Sequence, residues 1–176
     1  MMRLLLFVSV ILFQQSMTLF QFTSESNIDN WRILDDVVMG GRSDGHFKIN
    51  DDGYGEYYGD ISLANNGGFS SLRYYFETVD ASDYSKFKLR LKGDGKTYQL
   101  RVKDSRYNRY SYICKFETTG EWQTVEVPFA DMYASFRGYR LDMPNFKGNQ
   151  MEEIAFLIGN KKKESFKLLI DTITLE

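Results

Sequence analysis

The stretch Lys86–Lys103, KFKLRLKGDGKTYQLRVK, decides the fold. Phe87, Leu89 and Leu91 alternate with Lys86, Lys88 and Arg90, a period of two that only an extended strand turns into one apolar and one polar face. Tyr98, Leu100 and Val102 then alternate with Gln99, Arg101 and Lys103. Gly93-Asp94-Gly95 separates the two runs and reads as a hairpin turn.

The same signature continues outward in both directions. Strands are expected at Leu19–Phe22, His46–Ile49, Tyr54–Leu63, Phe69–Phe76, Arg109–Phe116, Trp122–Val127, Met151–Ile158 and Ser165–Glu176. Asn50–Gly53 and Asn65–Gly68 read as turns. Pro128 ends the strand before it, because proline lacks the ladder donor. Phe129–Tyr133 suggests a short helical turn, with a loop around Gly138. No stretch is long enough for crossover helices, so the chain reads as all-β, a β-sandwich with jelly roll as its more specific form.

Composition narrows the function. The chain has 176 residues, a formal net charge of -2 and 16% aromatic residues. One domain of this size buries an adequate core without staples. Near-neutral charge argues against nucleic acid as a partner, which needs a basic field. Cys114 is the only cysteine and His46 the only histidine. A disulfide within the chain is therefore excluded, and so is a cysteine-rich metal site. Cys114 has apolar neighbours and reads as a buried thiol; His46 reads as lightly packed. No cofactor motif is present: Gly93-Asp94-Gly95 lacks the ending and the helix of a phosphate loop.

The first residues differ from the rest. Arg3 precedes the apolar run Leu4–Phe13, followed by polar Gln14-Gln15-Ser16. The run falls short of the roughly 20 residues of a membrane span and has the layout of a secretory leader. Residues 1–18 are expected to be a signal segment cut near Thr18, and 19–176 the folded domain. The protein is then exported, periplasmic or extracellular in a bacterium, with no membrane span after leader removal; a buried first strand and a cytoplasmic location are the alternative.

Leu34–Ser43, LDDVVMGGRS, is the most distinctive local motif. Asp35 and Asp36 are a poor acid–base pair, since neighbouring strand residues point to opposite faces. One of them is expected to accept backbone hydrogen bonds across the Gly40-Gly41 turn. Trp31 reads as a core anchor, with sugar stacking as the alternative. Asp171, between Ile170 and Thr172, is a weak candidate for a structural calcium, completed by carbonyls or another carboxylate. Arg73 with Tyr75, Gln99 with Arg101, and Lys88 with Arg90 are expected to line one polar sheet face, suited to a glycan or a polypeptide.

Several of these pieces occur in a recognisable order. Trp31 comes first, then DDVVMGG with Arg42-Ser43, then Asn66-Gly67-Gly68-Phe69. Lys92-Gly93-Asp94-Gly95-Lys96-Thr97-Tyr98 follows, then Gly120-Glu121-Trp122 with Val127-Pro128-Phe129. Phe166 and Ile170-Asp171-Thr172-Ile173 close the set. From Leu19 to Glu176 the chain resembles the family of complex I intermediate-associated protein 30. The resemblance implies a galactose-binding-like β-sandwich, similar to many carbohydrate-binding modules. Its mitochondrial members act as assembly factors for the respiratory NADH dehydrogenase, which implies a protein partner and no catalysis; a glycan is the alternative ligand. The signature residues it implies here include Trp31, Asp36, Met39, Gly40, Gly41, Ser43, Asn66, Gly67, Gly68, Asp94, Tyr98 and Trp122. An exported protein would not meet the matrix arm of the respiratory complex, so the leader and the assembly role pull apart.

Overall fold

The computed structural model describes residues 16–176. The apolar run Leu4–Phe13, with most of the expected leader, lies outside them. The described chain is built from antiparallel strands in two sheets. The strands are β1 (Met17–Gln21), β2 (Trp31–Asp35), β3 (Asp44–Ile49), β4 (Gly55–Ile61), β5 (Ser70–Val79), β6 (Lys86–Lys92) and β7 (Thr97–Lys103). They continue with β8 (Ser111–Glu117), β9 (Trp122–Pro128), β10 (Tyr133–Phe136), β11 (Tyr139–Arg140), β12 (Met151–Ile158) and β13 (Glu164–Leu175). The six-stranded sheet runs β3-β4-β13-β6-β9, with β1 also on β13; the seven-stranded sheet runs β11-β10-β8-β7-β12-β5-β2.

The core lies between the sheets and is made by the alternation read from the sequence. Phe87, Leu89 and Leu91 of β6 meet Tyr98, Leu100 and Val102 of β7, all fully buried. Yet β6 and β7 do not pair. Gly93-Asp94-Gly95 is not a hairpin: it carries the chain from one sheet to the other. Two strands that face each other across a core show the same alternation as two that pair edge to edge, so periodicity alone does not separate the cases.

β13 holds the centre of the six-stranded sheet. Ile170 and Ile173 are both fully buried although three positions apart. A register shift between Ile170 and Thr172 allows this, since a bulge resets the alternation. Asp171 sits at the bulge, half-buried, and its carbonyl accepts the Phe22 N–H at 2.8 Å. Among the described residues no group of three or more His, Cys, Asp or Glu is placed to hold a metal ion.

Trp31 is the anchor expected of it. It is buried beside Phe20, Phe22, Phe47 and Tyr74, stacked on the last at 4.6 Å between centroids. The sugar-stacking alternative is excluded by that burial. β1 begins at Met17, which pairs with Leu175, and Thr18 pairs with Thr174, so the expected boundary after Thr18 falls inside this strand. The segment expected as a loop around Gly138 is instead the small hairpin β10–β11, turned by Arg137 and Gly138, both at positive φ. Cys114 is half-buried rather than buried.

Candidate functional site

The expected site residues fall into separate places. The first is a corner at one end of the sandwich. Asp36 begins a one-turn helix, Asp36–Met39, and its carboxylate is completely buried. Oδ1 accepts the Ser43 N–H at 2.9 Å. Oδ2 accepts the Ser43 hydroxyl at 2.5 Å, the Gly68 N–H at 2.5 Å and the Phe69 N–H at 3.2 Å. One side chain thus joins both glycine pairs. Burial alone would raise its pKa, but the Ser43, Gly68 and Phe69 hydrogen bonds outweigh it and hold the carboxyl below its ordinary value.

The glycines have distinct duties. Gly40 has φ +89°, which favours glycine. Gly41 and Gly67 give room: a Cβ on either would lie 2.2 Å or 2.5 Å from an Asp36 carboxylate oxygen. The Asn65 amide donates to the Gly40 carbonyl at 3.0 Å, and Asn66 takes a positive φ to bring the second glycine pair in. Asp35 points elsewhere and accepts the Gly45 N–H at 2.8 Å. That bond uses Oδ2 alone, and the buried Asp35 Oδ1 has no partner among the described residues; the two aspartates do not bond each other and do not form an acid–base pair.

This rigid corner holds out an apolar tip. Val37, Val38 and Met39 are 60%, 66% and 61% exposed, and Leu63 of the neighbouring turn is also exposed. Three consecutive large apolar side chains in water form a patch, not scattered exposure. Val37 and Val38 were not singled out from the sequence. The signal was there, since they lie between a buried aspartate and a glycine pair with no strand to alternate in.

The second place is the outer face of the seven-stranded sheet. Strand register sets three rows across it. Tyr75, Glu153 and Lys103 make one, and Arg73, Ala155, Arg101, Ile113 and Tyr133 the next. Ser71, Leu157, Gln99 and Lys115 make the third. Glu153, Ala155, Leu157, Ile113 and Ser71 are buried although they point away from the core. The face is recessed, with small and apolar residues as its floor and long polar ones above.

Its charges are unbalanced. Glu153 is 4% exposed and lies 3.4 Å from the Arg73 guanidinium. Burial raises its pKa against the pull of Arg73 and Lys103. Arg101 donates to the Gln99 amide oxygen at 3.1 Å and 2.8 Å. Burial, with Arg73 beside it, pushes Arg101 down to about 10. Lys103 donates to the Asn108 carbonyl, and burial lowers its pKa too. Lys88 and Arg90 do not share this face: they lie on the six-stranded sheet, where Lys88 meets Glu176 at 2.9 Å. Glu153 and Tyr133 escaped the sequence reading; Glu153 was visible as a charge in register with Ala155 and Leu157 in an otherwise apolar strand.

The remaining expected residues lie apart from both places. Asp94 accepts the Tyr98 hydroxyl at 3.0 Å, the Lys167 N–H at 2.9 Å and the Lys96 ammonium at 2.6 Å, latching the crossover. Trp122, at the rim of the six-stranded sheet, packs on Tyr54 at 4.5 Å with the Arg90 guanidinium 5.4 Å over its ring. His46 is exposed on β3 and Cys114 lies on β8 in the other sheet. No helix among the described residues is long and apolar enough to cross a membrane.

Comparison with known proteins places this geometry. The family model of complex I intermediate-associated protein 30 (CIA30) matches residues 20–170. The chain belongs to the CIA30 family. It is 25% identical over 186 aligned positions to the mouse (Mus musculus) mitochondrial complex I intermediate-associated protein 30; the match covers 93% of this chain and 57% of the mouse protein, so the chain spans little more than half of that relative.

Among solved structures, the fold is similar to a family 11 carbohydrate-binding module from Clostridium thermocellum in complex with a β-1,3-1,4-mixed-linked tetrasaccharide. The TM-score is 0.66 at 18% identity, covering 91% of this chain and 94% of that one. It is also similar to part of the agarase AgWH50C, with TM-score 0.63 at 14% identity, covering 93% of this chain and 24% of the agarase. This CIA30-family chain is thus a β-sandwich of the jelly-roll, galactose-binding-like kind.

Proposed function

We infer that this CIA30-family protein is a non-catalytic binding protein that assists assembly or stabilisation of a protein complex, and that its partner docks on the Val37–Val38–Met39 tip. One observation carries the reading: an exposed apolar tip on a corner stiffened by a buried carboxylate with four hydrogen bonds. A rigid tip loses little entropy on docking, so its buried area converts more fully into affinity. The mouse relative is named for association with a complex I intermediate, which supports a protein partner. The test is affinity capture from the native organism with the wild type and Val38→Asp. A partner held by the wild type and released by a variant of unchanged thermal stability supports the reading. Equal retention by both, or no partner at all, overturns it.

A second reading, glycan binding, is favoured by the recessed sheet face. Tyr75 and Tyr133 offer rings and Arg101 and Gln99 offer polar groups on one surface. The similar module of known structure holds a tetrasaccharide. Saturable glycan binding by the purified domain, without a retained protein, would select this reading over assembly.

We also place the protein outside the cytoplasm of a bacterium, exported by the Arg3 and Leu4–Phe13 leader. Mass determination of the native N-terminus tests this. Soluble protein that keeps Met1 or Met2 overturns it.

A further inference from the structure

The outer face of the seven-stranded sheet carries two half-buried cations that lack a counter-ion, Arg101 and Lys103. Among the described residues, Arg101 hydrogen-bonds only the neutral Gln99 amide, and Lys103 only the Asn108 carbonyl. Neither forms an ion pair. The one carboxylate in these three rows, Glu153, is engaged by Arg73 at 3.4 Å. Arg73 itself keeps a buried Nε without a partner. Half-buried cations without an anion are costly, and water reaches them poorly on a recessed floor.

The spacing suits an oxyanion. Arg73 and Arg101 flank Ala155 in register, on strands either side of it. Two strand spacings put their backbones about 10 Å apart. The floor between is a methyl group; beside it the Arg73 guanidinium turns to Glu153 and the Arg101 guanidinium to Gln99, and Lys103 stands two positions from Arg101 on the same face of β7. Guanidinium forks match carboxylate and sulfate oxygens in pairs of hydrogen bonds. Tyr133, one face of its ring under the Arg140 guanidinium at 4.8 Å, closes the same row, and Tyr75 stands beside Glu153 in the next, so rings flank the charge. The strands' backbone groups are used within the sheet, which leaves an extended peptide no ladder to join here. Sugar rings need none.

We propose that this face binds an acidic glycan, its charge a carboxylate or a sulfate ester, with Arg101 and Lys103 pairing the anion and Tyr75 and Tyr133 carrying the sugar rings. This rests on the glycan reading above and names its ligand class. It is independent of the apolar tip, which lies at the corner made by Asp36 and the glycine pairs.

The test is calorimetric titration of the folded domain at low and at raised salt. The probes are uronate oligosaccharides, their neutral methyl esters, a sulfated galactan oligosaccharide with its desulfated form, and polyglutamate. At least one charged sugar should bind about tenfold more tightly than its neutral form. Raised salt should narrow that gap, and Arg101→Gln should abolish it. Should Arg101→Gln disturb folding, as circular dichroism would report, Lys103→Gln makes the same test from the more exposed edge. The carboxylate and sulfate arms identify the source of the charge. Equal binding of charged and neutral forms overturns the proposal and leaves the glycan reading standing. Binding of no sugar overturns both. Binding of polyglutamate alone overturns the proposal in favour of an acidic protein partner.

Discussion

The carboxylate of Asp36 accepts the backbone N–H of Gly68 at 2.5 Å, across 32 positions of sequence. This contact binds the signature turn after β2 to the turn before β5. It makes the two glycine pairs one structural unit, from which the apolar tip projects. The residues expected as signature at this corner therefore do two things: Asp36, Gly41, Ser43, Gly67 and Gly68 build the support, and Met39 is what the support presents.

Loss of the Asp36 carboxylate should destabilise the fold. Asp36→Ala leaves the Ser43, Gly68 and Phe69 N–H groups without their acceptor, at a cost of about 3 kcal/mol or more. The pH dependence has a definite sign. The folded-state pKa is lowered, so the carboxylate contributes its full stability above the ordinary carboxylate range and loses it as pH falls through the lowered value. Denaturant melts across acid pH should show this slope in the wild type, and a flatter one in Asp36→Asn.

The two glycines of the first pair should respond differently. Gly40→Ala forces a side chain into the left-handed region but meets nothing within 4 Å, so about 1–2 kcal/mol is expected. Gly41→Ala sets a methyl on the Asp36 carboxylate and must displace it. Overpacking and lost hydrogen bonds together suggest about 2–4 kcal/mol. Equal losses in paired melts would mean that close approach to Asp36 is not what Gly41 provides.

Strand positions were legible because side-chain pattern is a local property: β6 and β7 lie where the apolar period put them, and β12 where the apolar run did. What pairs with what was not. The Gly93-Asp94-Gly95 turn joins strands in different sheets, and nothing within eighteen residues distinguishes that from a hairpin. Lys88 and Arg90 were set beside Arg101 for the same reason, and the structure puts them on opposite sides of the sandwich. The site suffered similarly. Arg73 and Arg101 were legible as outward cations, but their relation to Glu153 depends on β5, β12 and β7 lying side by side, a long-range fact. The β10–β11 hairpin was missed because its strands are too short to show a period, though Arg137-Gly138 between two aromatics was its turn signal.

Asp94 should act as the crossover's latch. Asp94→Ala removes the acceptor for Tyr98, Lys167 and Lys96 at once, and about 2 kcal/mol is expected. A double-mutant cycle with Tyr98→Phe should return a coupling of about 1 kcal/mol, since the hydroxyl and carboxylate are in direct contact. Additive losses would show that the Tyr98 hydroxyl works through another partner.

Glu153 should show the opposite pH sign to Asp36. Burial raises its folded-state pKa, so between the ordinary carboxylate value and the raised one the folded chain holds a proton that the unfolded chain has released. Stability therefore falls as pH rises through that window and stays lower above it. Glu153→Gln keeps the shape and removes the charge, so no loss of stability is expected at neutral pH, although Arg73 loses its ionic partner. The same substitution leaves Arg73, Arg101 and Lys103 with no carboxylate in their own rows. Affinity for an acidic oligosaccharide should then rise several-fold, while a neutral one is unaffected. Melts at neutral pH and titration with both sugars check the two halves together. A strongly destabilised Glu153→Gln would show that the Arg73 ion pair outweighs the burial of its carboxylate.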